Sequence, residues 1–316
     1  MLKELSPQYC SMNSLLNNLK FYISSFLFIV ILISCEELFE MSSEDLQGRG
    51  LITKSLTHDG IERTYIIYIP NSYSEDNEHP LMFNFHGFGG RAANFLYSAD
   101  MRSQAERDKF IIVYPQGTEL GGFPHWNSSA PSADNKSSAD DIGFVEKLIT
   151  KISMDYSVNS DRIYAAGFSN GGFFSYYLAC NSEKFAAIGS VAGTMIDDSY
   201  QNCNALVPTG MINIHGTDDY VVPYNGDGGG STSIPQVLEY WRYFNSCTVT
   251  EEINDSSNGP VTQYNYYDDN GGLYVQHYKE TGGGHYWSKG LTFNGKNTND
   301  LVWDFVSKFD INGIID

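Results

Sequence analysis

The stretch Arg162-Ile-Tyr-Ala-Ala-Gly-Phe-Ser-Asn-Gly-Gly-Phe-Phe-Ser-Tyr-Tyr-Leu-Ala-Cys180 decides how this chain is read. Its apolar run through Ala165-Ala166 has the character of a buried strand, and from Asn170 onward aromatic and aliphatic residues recur at helical spacing. Gly167-Phe-Ser-Asn-Gly171 therefore falls at a strand-to-helix turn. A serine in a G-x-S-x-G turn of this kind is forced into a tight, strained backbone that lifts its hydroxyl out of the sheet. Glycine is needed on either side because the chain passes so close to itself. Ser169 is the candidate nucleophile. A glycine-rich turn that merely packs would look the same locally, so the rest of the chain has to decide between them.

A serine nucleophile needs a base and a carboxylate to orient that base, in the order Ser, Asp or Glu, His when the serine sits on such an elbow. Met211-Ile-Asn-Ile214 is a short apolar strand running into His215-Gly-Thr-Asp-Asp-Tyr-Val-Val-Pro-Tyr224, which holds the adjacent carboxylates Asp218 and Asp219. Catalytic groups of open α/β sheets gather at that end of a strand. Leu273-Tyr-Val-Gln-His-Tyr-Lys279 alternates as a last strand and empties into Thr281-Gly-Gly-Gly-His-Tyr-Trp287, whose glycines allow His285 to approach Ser169 as the base. His215 ends a strand just before the acid loop and is expected to order that loop. Upstream, Leu81-Met-Phe-Asn-Phe85 leads into His86-Gly-Phe-Gly-Gly90, where glycines let backbone N–H groups converge on an anion. The oxyanion hole is assigned to the N–H groups of Phe88 and of Asn170, the residue after the serine.

His86-Gly-Phe-Gly-Gly90, Tyr114-Pro-Gln-Gly117, Trp126-Asn127, Asp140-Asp-Ile-Gly-Phe144, Gly167-Phe-Ser-Asn-Gly-Gly172, His215-Gly-Thr-Asp-Asp219 with Val222-Pro223, and Gly282-Gly-Gly-His-Tyr-Trp287 follow one another in order. Together they resemble the secreted polyhydroxybutyrate depolymerase and feruloyl esterase family of α/β-hydrolases, from about Leu51 to the C-terminus. The resemblance implies an α/β-hydrolase fold: a mostly parallel central sheet with antiparallel N-terminal strands and helices on both faces. It implies a serine esterase working through an acyl-enzyme, and its His-Gly-Thr-x-Asp pattern points to Asp219 as the acid. Two departures bear on the acyl pocket: Tyr286 stands where the family has Thr, and Ser288-Lys289 where Pro-Gly often follows the tryptophan.

The remaining chain is organised around this core. Lys20 precedes the apolar run Phe21 to Ile33, which closes on Leu32-Ile-Ser-Cys35. That run has signal-peptide length, and its end resembles a bacterial lipobox. Residues 1–34 are thus expected to be a signal peptide, Cys35 the lipidated residue, 35–50 a tether and 51–316 the catalytic domain. With 316 residues, 41% of them hydrophobic, one large α/β domain is the simpler count. A net charge of −19 argues against a nucleic-acid partner. The expected setting is the cell envelope or the extracellular space, with membrane contact only through the lipid.

An Asp59-Gly60 turn is expected to join two alternating strands, followed by a helix near 92–107, a strand at 110–113 and a long polar loop over 116–138. Within that loop Trp126 is a candidate wall of the acyl pocket, although a tryptophan that anchors the loop fits equally. Trp287 is a second candidate to stack on an aromatic acyl group. Asp140 and Asp141 open a helix over 141–156 and are given N-cap and dipole roles. Of the five cysteines, Cys180 and Cys203 form a plausible disulfide in an exported protein, with Cys247 left unpaired. The seven histidines show no tight ligand pattern, so neither a catalytic metal nor a cofactor is expected. Two substrate classes follow from the resemblance, hydroxycinnamate esters of plant polysaccharide and 3-hydroxyalkanoate polyesters. The stretch after a helix over 300–308 is too short for the polymer-adsorbing module that depolymerases often carry, which favours the carbohydrate esters. A surface lipoprotein that binds carbohydrate or polymer on an inactive hydrolase scaffold is the alternative of another class.

Overall fold

Alternation on either side of Asp59-Gly60 folds β1 (Leu51–His58) and β2 (Ile61–Tyr68) into an antiparallel hairpin with Leu51 opposite Tyr68. Both turn residues take positive φ, 47° and 75°, as the tight turns that match strand twist require. The computed structural model describes residues 50–130, 137–228, 230–255, 259–287 and 291–315. The expected signal peptide, the lipidated Cys35, the tether up to residue 49 and Ser288-Lys289 lie outside the described residues.

The hairpin leads into a ten-stranded sheet. Its centre comprises β3 (His79–Phe85), β4 (Ile111–Pro115), β7 (Val158–Phe168), β8 (Ala187–Val191), β9 (Gly210–Gly216) and β12 (Leu273–Glu280), all parallel in the spatial order β4-β3-β7-β8-β9-β12. Every residue of β3, β4, β8 and β9 is buried. Strands covered on both faces read as continuous apolar runs, which is why Leu81 to Phe85 and Met211 to Ile214 stand out in the sequence. Because the central strands share one direction, the loops after β3, β7, β9 and β12 all leave from one edge.

Two features differ from expectation. The helix expected near 92–107 is broken into α1 (Ala92–Ser98) and α2 (Arg102–Asp108). In the break, the Asp100 carboxylate accepts from Arg102 N at 3.1 Å and also pairs with the Arg102 guanidinium, so it fixes the entry to the second helix. At the far edge, β10 (Val249–Asn254) and β11 (Val261–Tyr267) add an antiparallel pair that the sequence did not reveal. The outer strand is exposed along most of its length, so it carries no alternation. The loop over 116–138 contains a small hairpin, β5 (Thr118–Leu120) and β6 (Phe123–His125).

Helix α3 spans Asp141–Asp155, α4 Asn170–Asn181, α5 Asp197–Asn202, α6 Ile234–Phe244 and α7 Thr298–Val306. Asp140 caps α3 by accepting from Gly143 N at 2.9 Å, as expected. The structure pairs Cys180 at the end of α4 with Cys203 just after α5, while Cys247 is free and buried.

Candidate active site

Ser169 sits between β7 and α4 with φ 50° and ψ −120°. A non-glycine residue held there costs of order 1–3 kcal/mol and persists only where its surroundings leave no alternative. The surroundings here are specific. Ser169 N donates to Val191 O at 2.9 Å, and Ser169 O accepts from Gly172 N at 2.8 Å and Phe173 N at 3.0 Å. A Cβ on Gly167 would lie 2.2 Å from Gly171 C, and one on Gly171 would lie 2.1 Å from Phe85 O. Only glycine fits at these two positions, which holds the elbow tight against β3.

The acid and base loops clasp each other. Thr217 N donates to Glu280 O, Asp218 N to Gly283 O at 2.9 Å, and Gly282 N to the Thr217 hydroxyl at 2.8 Å. A side chain on Gly216 would run into Gly283 O at 2.1 Å, so the clasp requires glycine there. Within it, His285 Nδ1 lies 2.8 Å from Asp219 Oδ2, and Asp219 is buried while Asp218 is exposed. The other oxygen, Asp219 Oδ1, accepts from Val221 N at 2.9 Å and Val222 N at 2.8 Å. Burial alone would raise the Asp219 pKa. Hydrogen bonds from His215 and His285, with that from Val222 N, outweigh it and hold the carboxyl far below the ordinary range. Asp219 is thus an anion that fixes the Nδ1–H tautomer of His285 and leaves Nε2 as the basic nitrogen. The imidazole rests against Phe168, the residue that precedes Ser169, with ring centroids 4.9 Å apart.

His215 is fully buried and bridges the acid loop: its Nε2 lies 2.8 Å from Val222 O and 3.4 Å from Asp219 Oδ2. Behind it, Tyr224 Oη donates to His277 Nε2 at 2.8 Å, and His277 Nδ1 donates to Asn213 O at 3.2 Å. Burial pushes the His277 pKa down to about 3, which keeps it neutral and able to accept from Tyr224.

The oxyanion loop is braced from below. A Cβ on Gly87 would stand 3.3 Å from Ser169 Cβ, so the loop carrying Phe88 passes directly over the elbow. His86 Nδ1 donates to Gly87 O at 2.7 Å and its Nε2 accepts from Gly117 N at 3.0 Å. Burial lowers its pKa to about 4, consistent with that neutral tautomer. Asn170 opens α4, where the first N–H groups have no intrahelical acceptor. Its side chain forms a two-way amide pair with Trp126, accepting from Trp126 N at 2.8 Å and donating to Trp126 O at 2.9 Å.

Both tryptophans are interior side chains, which corrects the expectation that they face an acyl group. Trp126 has no exposed surface, stacks on Phe174 with centroids 5.1 Å apart, and donates Nε1–H to His86 O at 3.1 Å. It anchors the loop to the elbow. Trp287 is also buried, donating to Asn299 Oδ1 at 2.8 Å and packing edge-on against Phe95.

A buried ion pair supports the same loop and was missed in the sequence. Arg63 Nη1 lies 2.6 Å from Asp141 Oδ1, Asp141 Oδ2 accepts from Asn127 N at 2.8 Å, and the guanidinium lies 3.7 Å from the Phe144 ring centroid. Asp141 is therefore more than a dipole partner for α3. The only signal was an arginine two residues before the apolar Tyr65-Ile-Ile-Tyr68 of β2, at the inward-facing position of the alternation. Among the described residues, one group has metal-ligand spacing, His58, Asp59 and Asp140. His58 Nε2 already pairs there with Asp140 Oδ2 at 3.0 Å.

Residues 72–232 match the phospholipase/carboxylesterase family. A feruloyl esterase B from Piromyces equi is 28% identical over 265 residues, covering 79% of this chain and 46% of that protein. A bifunctional acetylxylan esterase/xylanase from Neocallimastix patriciarum is 24% identical over 257 residues, covering 80% and 34%. A feruloyl esterase C from Emericella nidulans is 28% identical over 173 residues, covering 52% and 57%. The chain spans about half the length, or less, of these curated relatives. Among solved structures, an acetyl xylan esterase from Aspergillus awamori aligns with TM-score 0.60 at 13% identity, over 81% of this chain and 98% of that one. The feruloyl esterase module from Clostridium thermocellum, complexed with sinapinate, aligns with TM-score 0.56 at 14% identity, over 82% and 87%. At these identities the likeness shows the α/β-hydrolase fold.

The geometry separates the two adjacent carboxylates. Asp219→Asn is expected to lower kcat on p-nitrophenyl acetate by several orders of magnitude, roughly 10⁴-fold, and Asp218→Asn by less than about tenfold. The reverse ranking would move the acid by one residue.

The buried imidazole of His277 also predicts a pH dependence. Its folded pKa, about 3, lies below the ordinary 6.5, so the unfolded chain takes the proton first. The stability it contributes is present above 6.5 and is lost as pH falls toward about 3. In urea unfolding, the advantage of the wild type over His277→Gln should shrink across that window. A constant or growing advantage on acidification would contradict this account.

Proposed function

The chain belongs to the phospholipase/carboxylesterase family, and on that premise we propose that it is a serine carboxylic-ester hydrolase acting on feruloyl or similar acyl esters of plant polysaccharide. The observation that carries this reading is the Asp219–His285 hydrogen bond of 2.8 Å, set on a loop clasp beside the strained elbow of Ser169. In the reaction, His285 Nε2 takes the Ser169 proton as Oγ attacks the ester carbonyl. Asp219 stabilises the imidazolium that forms. Backbone N–H groups of Phe88 and Asn170 donate to the developing oxyanion, and losing one such donor typically costs on the order of 10²-fold in rate. The imidazolium returns its proton to the leaving alcohol, giving the acyl-enzyme. Water deprotonated by His285 then releases the acid and restores Ser169.

The named activities of the curated relatives, feruloyl esterase and acetylxylan esterase, support esters of plant polysaccharide as the substrate class. The test compares kcat/KM on feruloylated oligosaccharide with that on 3-hydroxybutyrate oligomers, using Ser169→Ala as the blank. Preference for the feruloyl ester is the expected result, and preference for the oligomers overturns the substrate. A folded wild type that neither turns over these esters nor is labelled by a fluorophosphonate favours the non-catalytic binding role instead.

Export belongs to the same proposal. The Cys180–Cys203 disulfide supports an oxidising compartment, and Leu32-Ile-Ser-Cys35 supports a lipid anchor. Mass spectrometry of membrane-extracted protein should find a mature N-terminus at Cys35 bearing diacylglycerol. A soluble mature form starting elsewhere removes the anchor.

A further inference from the structure

Several of the exposed large apolar side chains of this acidic protein fall on the loops that carry the candidate catalytic groups and on the hairpin tied to one of them. Phe88, Leu120, Phe123, Tyr220, Val221 and Tyr286 are all exposed, and they lie on the oxyanion loop, the β5–β6 hairpin above it, and the acid and base loops. Two of them form a built feature. Phe88 and Phe123 are 46% and 55% exposed and stack with centroids 5.7 Å apart and planes 11° from parallel. Their support is rigid. Gly89 N donates to Pro124 O at 2.7 Å, which ties the hairpin to the oxyanion loop, and Trp126 just beyond is locked to Asn170. An exposed apolar stack of this kind exposes ring faces to water that a ligand can cover.

The stack is also carried by the loop that crosses the elbow. Gly87 touches the elbow, its added Cβ lying 3.3 Å from Ser169 Cβ, and Phe88 is one residue step, about 3.8 Å, further along. A hydroxycinnamoyl group carries its phenyl ring one vinyl unit beyond the carbonyl and so has a flat face to lay on such a pair, whereas an acetyl group has none. The ring faces offer no hydrogen-bonding atom, and the nearby charges Arg91 and Glu119 are engaged with each other at 3.5 Å. This surface suits a planar conjugated ring better than a sugar rich in hydroxyls.

We propose that the Phe88–Phe123 stack is the platform that receives the aromatic ring of a hydroxycinnamoyl acyl group and selects it over acetyl; this rests on the esterase reading above. Phe123 is the residue to test, because it lies outside the catalytic groups and on an exposed hairpin. Phe123→Ala, Phe123→Leu and Phe123→Tyr are made in the full chain and assayed on methyl ferulate, ethyl acetate and acetylated xylo-oligosaccharide, with Tm as a check of folding. Ala and Leu should lose roughly threefold to tenfold in kcat/KM on methyl ferulate, mainly through KM, while Tyr keeps the wild-type value. Both acetyl esters should be unchanged. Two outcomes overturn the platform alone: an active wild type whose methyl ferulate kinetics are indifferent to all three changes, or a loss confined to the xylo-oligosaccharide, which would give the surface to the sugar. A wild type inactive on every ester overturns the esterase reading, and the platform falls with it.

Discussion

The constraint on which the rest of this structure depends is the backbone of one residue. Ser169 holds φ at 50°, and the strain is sustained because Gly167 and Gly171 let β7, α4 and the end of β3 approach more closely than any side chain would allow. The close approach brings the loop after β3 over the serine, with Gly87 packed against Phe168 and Ser169. The candidate oxyanion loop and the candidate nucleophile are therefore placed by the same contacts. A Cβ on Gly171 would push the end of β3 away from α4, and one on Gly167 would push α4 away from β7, so either would disturb the elbow.

The acid and base meet for a related reason. β9 and β12 are parallel neighbours, so their loops leave side by side, and three backbone and hydroxyl hydrogen bonds clasp them. Asp219 is dry yet anionic because two imidazoles and two backbone N–H groups surround it. Uncompensated, a buried carboxylate would take up a proton and lose its hold on His285. Inward of this, His215 holds Val222 O and packs its ring against Tyr224, whose hydroxyl donates to the neutral His277.

The loop that carries Phe88 is supported by an apolar and ionic foundation. Trp126 fills the space beneath it, Asn170 ties Trp126 to the nucleophile helix, and Arg63 with Asp141 holds the following residue, Asn127. Removing one partner of such a buried pair leaves an uncompensated charge, typically at a cost of about 3–5 kcal/mol. Loop position, and with it the donor geometry, is thus coupled to the stability of the strand β2 that carries Arg63.

What the sequence by itself determined is the part written in short-range pattern. Apolar runs marked the central strands, Asp59-Gly60 marked the first hairpin, and the order of Gly167-Phe-Ser-Asn-Gly171, Asp218-Asp219 and Gly282-Gly-Gly-His285 marked the fold and the candidate site, because strand period, turn chemistry and elbow sterics act over a few residues. Tertiary structure decided what depends on distant partners. It brought Asp219 rather than Asp218 to His285, turned Trp126 and Trp287 into the core, set Arg63 against Asp141, broke the helix at Asp100, added the exposed strand pair β10 and β11, and stacked Phe88 on Phe123. Each of those outcomes turns on burial and on contacts across many residues of chain, and no local periodicity records where a side chain finds its partner.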